Sequence, residues 1–181
     1  MGIERSMRAL MIQKAWELLE KEGLEGLTPQ HLALYCETTE SDIRSLYPTS
    51  LSILLLLWDD VSSQATLQAI PDTPHDCLFE SIMIVLEILQ PNQQAIKRFL
   101  ADLLTAPCWL KDILPYVTKW SRQTLQQAGF STSDLVGTLK VHAFTAFCFY
   151  ILKVWSNDDS PSYDLTLVKL DQGLSKLTKF F

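Results

Sequence analysis

Apolar residues recur at three- and four-residue spacing along most of the chain, and no run alternates with a period of two over a useful length. The pattern predicts helices and no strands. Leu10, Met11, Ala15, Leu18 and Leu19 form the first stripe, on a helix expected from Glu4 to Glu22 and stopped by Gly23. Thr28-Pro29 opens a second helix to about Tyr35, a hydroxyl N-cap followed by proline at the first helical position. Thr39, or Thr38, opens a third, Glu40 to Leu46, with Asp42 three residues after Thr39 as a capping partner, and Pro48 ends it. Thr49 or Ser50 caps a fourth, expected to reach Ala69. After Pro71 and Pro74, read as breaks, a helix is expected over Asp76–Gln90 with Phe79, Met83, Leu86 and Leu89 on one face. Asn92 is expected to cap the next, through Ile96, Phe99, Leu100 and Leu103. A segment from Pro107 to Gln127 must be kinked or split by Pro115. The most apolar helix follows Asp134 and runs to Trp155; its Phe144, Phe147, Phe149 and Tyr150 are aromatic nearly all round, which implies burial on several sides, and a last helix starts at Tyr163. The expected fold is all-α with about nine helices, divided into a helix-turn-helix-like domain over 1–48 and a helical domain over 49–181.

Composition narrows the functions open to such a fold. Of 181 residues, 48% are hydrophobic, enough for a substantial core. The net charge of −6 excludes a generally basic surface, though not a local patch. Cys36, Cys77, Cys108 and Cys148 are widely spaced, which argues against a zinc site or disulfide framework and for buried thiols. Gly2 and Ser6 fit a loose myristoylation pattern, read as chance, and the N-terminus lacks a signal-peptide pattern. The uncharged run Val141–Leu152 is too short to span a bilayer. His31, His75 and His142 lie in separate segments, and His142, on an apolar helix, reads as an interior or interface residue. Asp158-Asp159 reads as a cap for the helix that follows. No nucleophile–base arrangement and no phosphate-cradling glycine loop can be argued, so neither an enzyme nor a cofactor is expected.

One long helix, two short ones joined by a tight turn, then an aromatic-proline pair and an apolar helix form a specific order. Its carriers are Ile12, Ala15, Leu18, Leu19 and Gly23, then Leu32 and Ala33, then Ile43 and Tyr47-Pro48-Thr49. This resembles the N-terminal domain of the tetracycline-repressor (TetR) family of bacterial transcription regulators. The resemblance implies DNA contacts from Gln30, Thr38, Thr39, Arg44 and Tyr47, with Arg5 and Arg8 as further cations. The charge runs the other way. Residues 1–60 hold five basic and ten acidic groups, and the third helix carries Glu40 and Asp42 against Arg44. Duplex binding needs lysine or arginine at the phosphates, so the polyanion reading is disfavoured on electrostatic grounds.

The C-terminal half carries a second resemblance. Ala128-Gly129, Ser131 to Asp134, the apolar helix to Trp155, the turn Asn157-Asp158-Asp159-Ser160-Pro161, and Tyr163, Thr166, Leu170, Asp171 and Leu174 follow in order. This is similar to the coenzyme Q biosynthesis protein nine family, ubiquinone-biosynthesis accessory proteins with a TetR-like fold. It implies a non-enzymatic homodimer that holds a hydrophobic lipid or quinone precursor and assists a hydroxylase. It also implies a cytoplasmic protein in peripheral contact with the inner membrane. Candidate lipid-binding residues are Met83, Leu86, Phe99, Trp109, Phe144, Phe147 and Tyr150. Two readings therefore stand, a lipid- or isoprenoid-binding accessory protein first and a TetR-type regulator with a small hydrophobic inducer second. A plain interaction protein with neither ligand nor DNA is the blander third.

Overall fold

A computed structural model describes residues 2–65 and 72–181, with side chains from residue 7 onward. Nine α-helices and one 3-10 turn make up the regular structure among these residues, with no strand. The helices are α1 (Gly2–Gly26), α2 (Pro29–Tyr35), α3 (Glu40–Leu46), α4 (Ser50–Gln64), α5 (Pro74–Leu89), α6 (Gln93–Thr105), α7 (Cys108–Gln127), α8 (Leu135–Trp155) and α9 (Asp164–Phe180). They form two compact units, Met1–Gln64 with Pro91–Asp112, and Ala65–Gln90 with Ile113–Phe181. The units are not a simple cut after residue 48. α4 and α6 join the first unit because both pack on α1.

In the first unit α1 is the central element, covered by α2, α4 and α6. Ala15, Leu18, Leu19, Leu32, Ile43, Ile53 and Leu57 are buried there. Each enclosed leucine or isoleucine contributes about 1.5–3 kcal/mol relative to exposure, which is what holds the short helices in place. Gly23 interrupts α1 with φ 72° and ψ −163°, a conformation open in practice only to glycine. Thr28 accepts a hydrogen bond from the His31 N–H, and Pro29 follows it as expected. α4 ends at Gln64, short of the expected Ala69, which lies outside the described residues. Its last buried residue is Val61; beyond it the Ser62, Ser63 and Gln64 side chains donate to the Asp59 and Asp60 carbonyls, competing with the helical ladder.

In the second unit α5 packs on α9 and α8, and α8 packs on α9. Leu78, Leu125, Val141, Phe144, Ile151, Trp155, Leu170 and Leu174 are buried. Pro74 does not break the chain. It occupies the first turn of α5, and Thr73 accepts from the Asp76 N–H, repeating the Thr28-Pro29 device. The buried face of α5 is Leu78, Ile82, Leu86 and Leu89, so Phe79 and Met83 sit at its half-exposed edge rather than on its centre. Asn92 stands at the N-cap position of α6 but makes no capping bond. Pro115 leaves α7 a single helix; Pro115 and Lys111 are both exposed, so the carbonyl deprived of its donor faces water.

α9 starts after Tyr163, whose left-handed φ of 52° gives no side-chain cap. Asp158 supplies it from eight residues upstream of Thr166. One carboxylate oxygen accepts from the Thr166 N–H at 2.8 Å and hydroxyl at 2.7 Å, and the other accepts from the Ser160 N–H at 3.2 Å and hydroxyl at 2.7 Å. Ser160 Oγ in turn accepts from the Asp164 N–H. Burial pushes the Asp158 carboxyl up, but these four donors outweigh it and hold its pKa at about 2.

Candidate nucleic-acid interface

The turn between α2 and α3 is closed by its own backbone. Thr38 N–H donates to the Ala33 carbonyl at 3.0 Å, and Glu37 takes a φ of 52° to make the bend. Thr39 then caps α3, accepting from the Asp42 N–H at 3.2 Å while its hydroxyl donates to the Asp42 carboxylate at 2.6 Å. The Thr39 hydroxyl, helped by Thr38, holds that carboxyl below the ordinary carboxylate range. Ile43 alone of α3 is buried, so the helix is pinned at one point and presents Ser41, Asp42, Arg44, Ser45 and Leu46 to solvent.

α2 is bolted to the end of α1. The Glu22 carboxylate lies 2.8 Å from His31 Nδ1 and accepts from the Tyr35 hydroxyl at 3.3 Å, while His31 Nδ1 also lies 3.1 Å from the Gly26 carbonyl. Lys21 stands over the Tyr35 ring at 5.5 Å. Lys21 and Glu22 precede Gly23 and Gly26 follows it, so α2 is held from both sides of the kink, and the closed turn carries α3 with it.

The five expected DNA-contacting residues fall on α2, α3 and their flanks. Gln30 is exposed at the second position of α2, Thr38 and Thr39 form the start of α3, Arg44 projects from its middle, and Tyr47 follows its end, half-buried. The cations are engaged. Arg44 Nε pairs with Glu40 one turn away, Lys14 with Glu17 at 2.9 Å, and Arg8 with Asp59 at 2.7 Å, a contact that raises the Arg8 pKa. The Arg5 side chain lies outside the described residues.

The expected lipid-binding residues do not form one cluster within a unit. Phe99 and Trp109 belong to the first unit; Met83, Leu86, Phe144, Phe147 and Tyr150 belong to the second. Phe144 is fully buried and stacks on Trp120 with centroids 6.3 Å apart, and Phe147 lies 6.4 Å from Tyr150. The aromatic content of α8 was expected to mean burial on several sides. Instead one face is open, with Leu135 91% exposed, Leu139 69% and Tyr150 47%. His142 is exposed on that face and not interior. By length and composition α8 would suffice to cross a membrane, but its Val141, Phe144, Thr145 and Ile151 are spent on protein contacts. Of the cysteines, Cys36 and Cys77 are buried, Cys148 is half-buried, and Cys108 is exposed, contrary to the expectation of four buried thiols. Among the described residues no group of histidines, cysteines and carboxylates is placed to hold a metal.

The architecture matches solved structures over nearly its full length. A TetR transcriptional regulator from Nitrosomonas europaea ATCC 19718 superposes with a TM-score of 0.75 at 16% identity, over 96% of this chain and 99% of that one. The fold is the TetR fold. A TetR transcriptional regulator from Rhodococcus sp. RHA1 superposes with a TM-score of 0.68 at 13% identity, over 96% and 97% of the two chains. No family model and no curated protein matches the sequence. The TetR fold puts α2 and α3 in the place of a helix-turn-helix, in agreement with the first resemblance.

Sequence reading missed two features of this site. Asp102 on α6 reaches the kink at Gly23, and Glu22 binds α2. Gly23 itself was legible as an interruption, but nothing local marks the partner 78 residues away from Leu24.

Proposed function

We propose that this chain is a non-enzymatic, cytoplasmic transcriptional regulator of the TetR type, a homodimer that binds DNA through α3 and responds to a small hydrophobic molecule held in its second unit. The observation that carries this reading is the complete helix-turn-helix. Both short helices are capped, the turn is closed, and α3 is pinned by Ile43 alone with its other face in solvent. Its setting within a TetR fold over 96% of the chain supports the same reading. The acidic balance tunes the reading without removing it. An exposed Arg–Glu pair one turn apart contributes only about 0.3–0.5 kcal/mol, so DNA can take Arg44 from Glu40 at small cost. Arg8, paired to Asp59 in an equally exposed contact, is available in the same way. What remains is repulsion from Glu37, Glu40 and Asp42, which favours a modest affinity and a strong requirement for the right sequence. The open face of α8, with Leu165 and Val168 exposed on α9 against which it packs, supports dimerisation through a second copy.

Fluorescence anisotropy with DNA from upstream of its own gene tests the reading. The expected result is sequence-selective binding that weakens with salt, the logarithmic slope being about 0.9 per phosphate neutralised. No preference for any upstream fragment over unrelated duplex at low salt would refute it.

A second reading is favoured by one observation, the pairing of Arg44 with Glu40 beside Asp42 on the reading helix. On it the DNA-binding role is lost and the protein is a lipid- or isoprenoid-binding accessory factor in ubiquinone biosynthesis, with a hydroxylase as partner. Native mass spectrometry with a prenylated quinone distinguishes this reading: a retained quinone with no DNA selectivity supports it, and an empty protein removes it.

A further inference from the structure

We propose that Asp102 is a positioning residue that latches the helix-turn-helix to α6 at the kink of α1. The proposal rests on the DNA-binding reading for its functional meaning, though the latch itself is testable without DNA. Four observations in the first unit converge on it. Gly23 breaks α1 with a backbone conformation restricted to glycine, so the three residues that follow are not held by continuous helix. The Leu24 N–H, which a continuous α1 would direct to the carbonyl four residues back, donates instead to the Asp102 carboxylate at 2.8 Å. The other oxygen of that carboxylate accepts from Arg98 Nε at 3.1 Å, one turn back on α6, which fixes the side chain's direction. A side chain at position 23 would run into Asp102 and Arg98, so the glycine serves the approach of α6 as well as the bend.

The latch sits where the last turn of α1 leads into α2. Beyond Gly23, the Gly26 carbonyl meets His31, and Glu22 on its other side holds His31 and Tyr35, so α2 follows the end of α1, and α3 follows α2. Acting with the Glu22 contacts, a charged hydrogen bond to one backbone N–H at the kink thus favours one orientation of α3 relative to α6. Released, the segment would sample others. Apparent affinity for DNA falls in proportion to the fraction of molecules holding the competent pose, so a latch that raises that fraction from a tenth to nearly all is worth about tenfold in Kd.

The test compares Asp102→Ala with Asp102→Asn in the full chain. Asparagine keeps an oxygen for the Leu24 N–H; alanine keeps none. Amide hydrogen exchange on the DNA-free protein is expected to accelerate in Asp102→Ala at Leu24 and through α2 and α3, while α4 stays protected and Asp102→Asn stays close to wild type. In anisotropy, Asp102→Ala is expected to bind DNA about tenfold more weakly, with Asp102→Asn largely rescued. Unchanged exchange in α2 and α3, or uniform loosening of α1, α4 and α6 together, would overturn the latch, the latter marking a merely structural carboxylate. If exchange follows the expected pattern while wild type shows no DNA selectivity, the latch stands and the DNA-binding reading falls.

Discussion

Replacing Asp158 by asparagine tests the account of how α9 is started. In the wild type both carboxylate oxygens are saturated, each by one N–H and one hydroxyl. Asparagine offers one oxygen and one NH2, so one pair of donors, at Thr166 or at Ser160, meets another donor. A carboxyl held at about 2 instead of 3.8 contributes about 2 kcal/mol at neutral pH. Because the folded value is depressed, that stability is present above pH ~4 and is lost as pH falls toward 2. The residue is 5% exposed, so solvent screening removes little of it. Urea unfolding followed by circular dichroism should show Asp158→Asn less stable by about 2 kcal/mol at pH 7, the gap narrowing to roughly half by pH 3. A gap below about 0.5 kcal/mol at pH 7, or one unchanged between pH 5 and pH 3, would refute a stabilisation carried by the ionised carboxylate.

Three further outcomes follow from the same geometry. Phe144→Ala removes a fully buried ring stacked on Trp120 and should cost about 3–5 kcal/mol by urea unfolding; a loss under about 1 kcal/mol would mean the site collapses or was never tightly packed. Leu139→Asp puts a charge on the open face of α8 and should turn a dimer into a monomer in sedimentation velocity without loss of helicity; a persistent dimer would place the interface elsewhere. Glu40→Gln removes a carboxylate from α3 and releases Arg44, so selective DNA affinity should rise several-fold; a fall would show that the pair orients Arg44 for reading.

The helix starts show how far local chemistry reaches. Thr28, Thr39 and Asp134 each cap a helix with a bond to an N–H three residues on, and all three starts were legible because the whole interaction fits within one turn of chain. Thr73-Pro74 is the same device and was misread as a break beside Pro71, since proline alone does not say whether it ends one element or begins the next. The Asp158 cap was legible as to role but not partner, because Thr166 is two turns of chain away and the intervening left-handed Tyr163 brings it back. α8 misled for a different reason. Aromatic residues on several sides suggest enclosure, yet neighbours exist on only some sides, and the number of covering helices is not written in the helix they cover.

From the sequence alone came the all-helical class, the helix-turn-helix order and the acidic character of α3, since each depends on residues within a few positions of one another. The tertiary structure decided what those parts are fastened to. That Arg8 pairs with Asp59, that the Gly23 kink is held by a carboxylate from α6, and that α8 keeps an open face all depend on contacts between distant segments. Such contacts form only when burial of the core brings the helices together. A carboxylate such as Asp102 has many donors within reach of its type in the sequence, and only packing chooses among them.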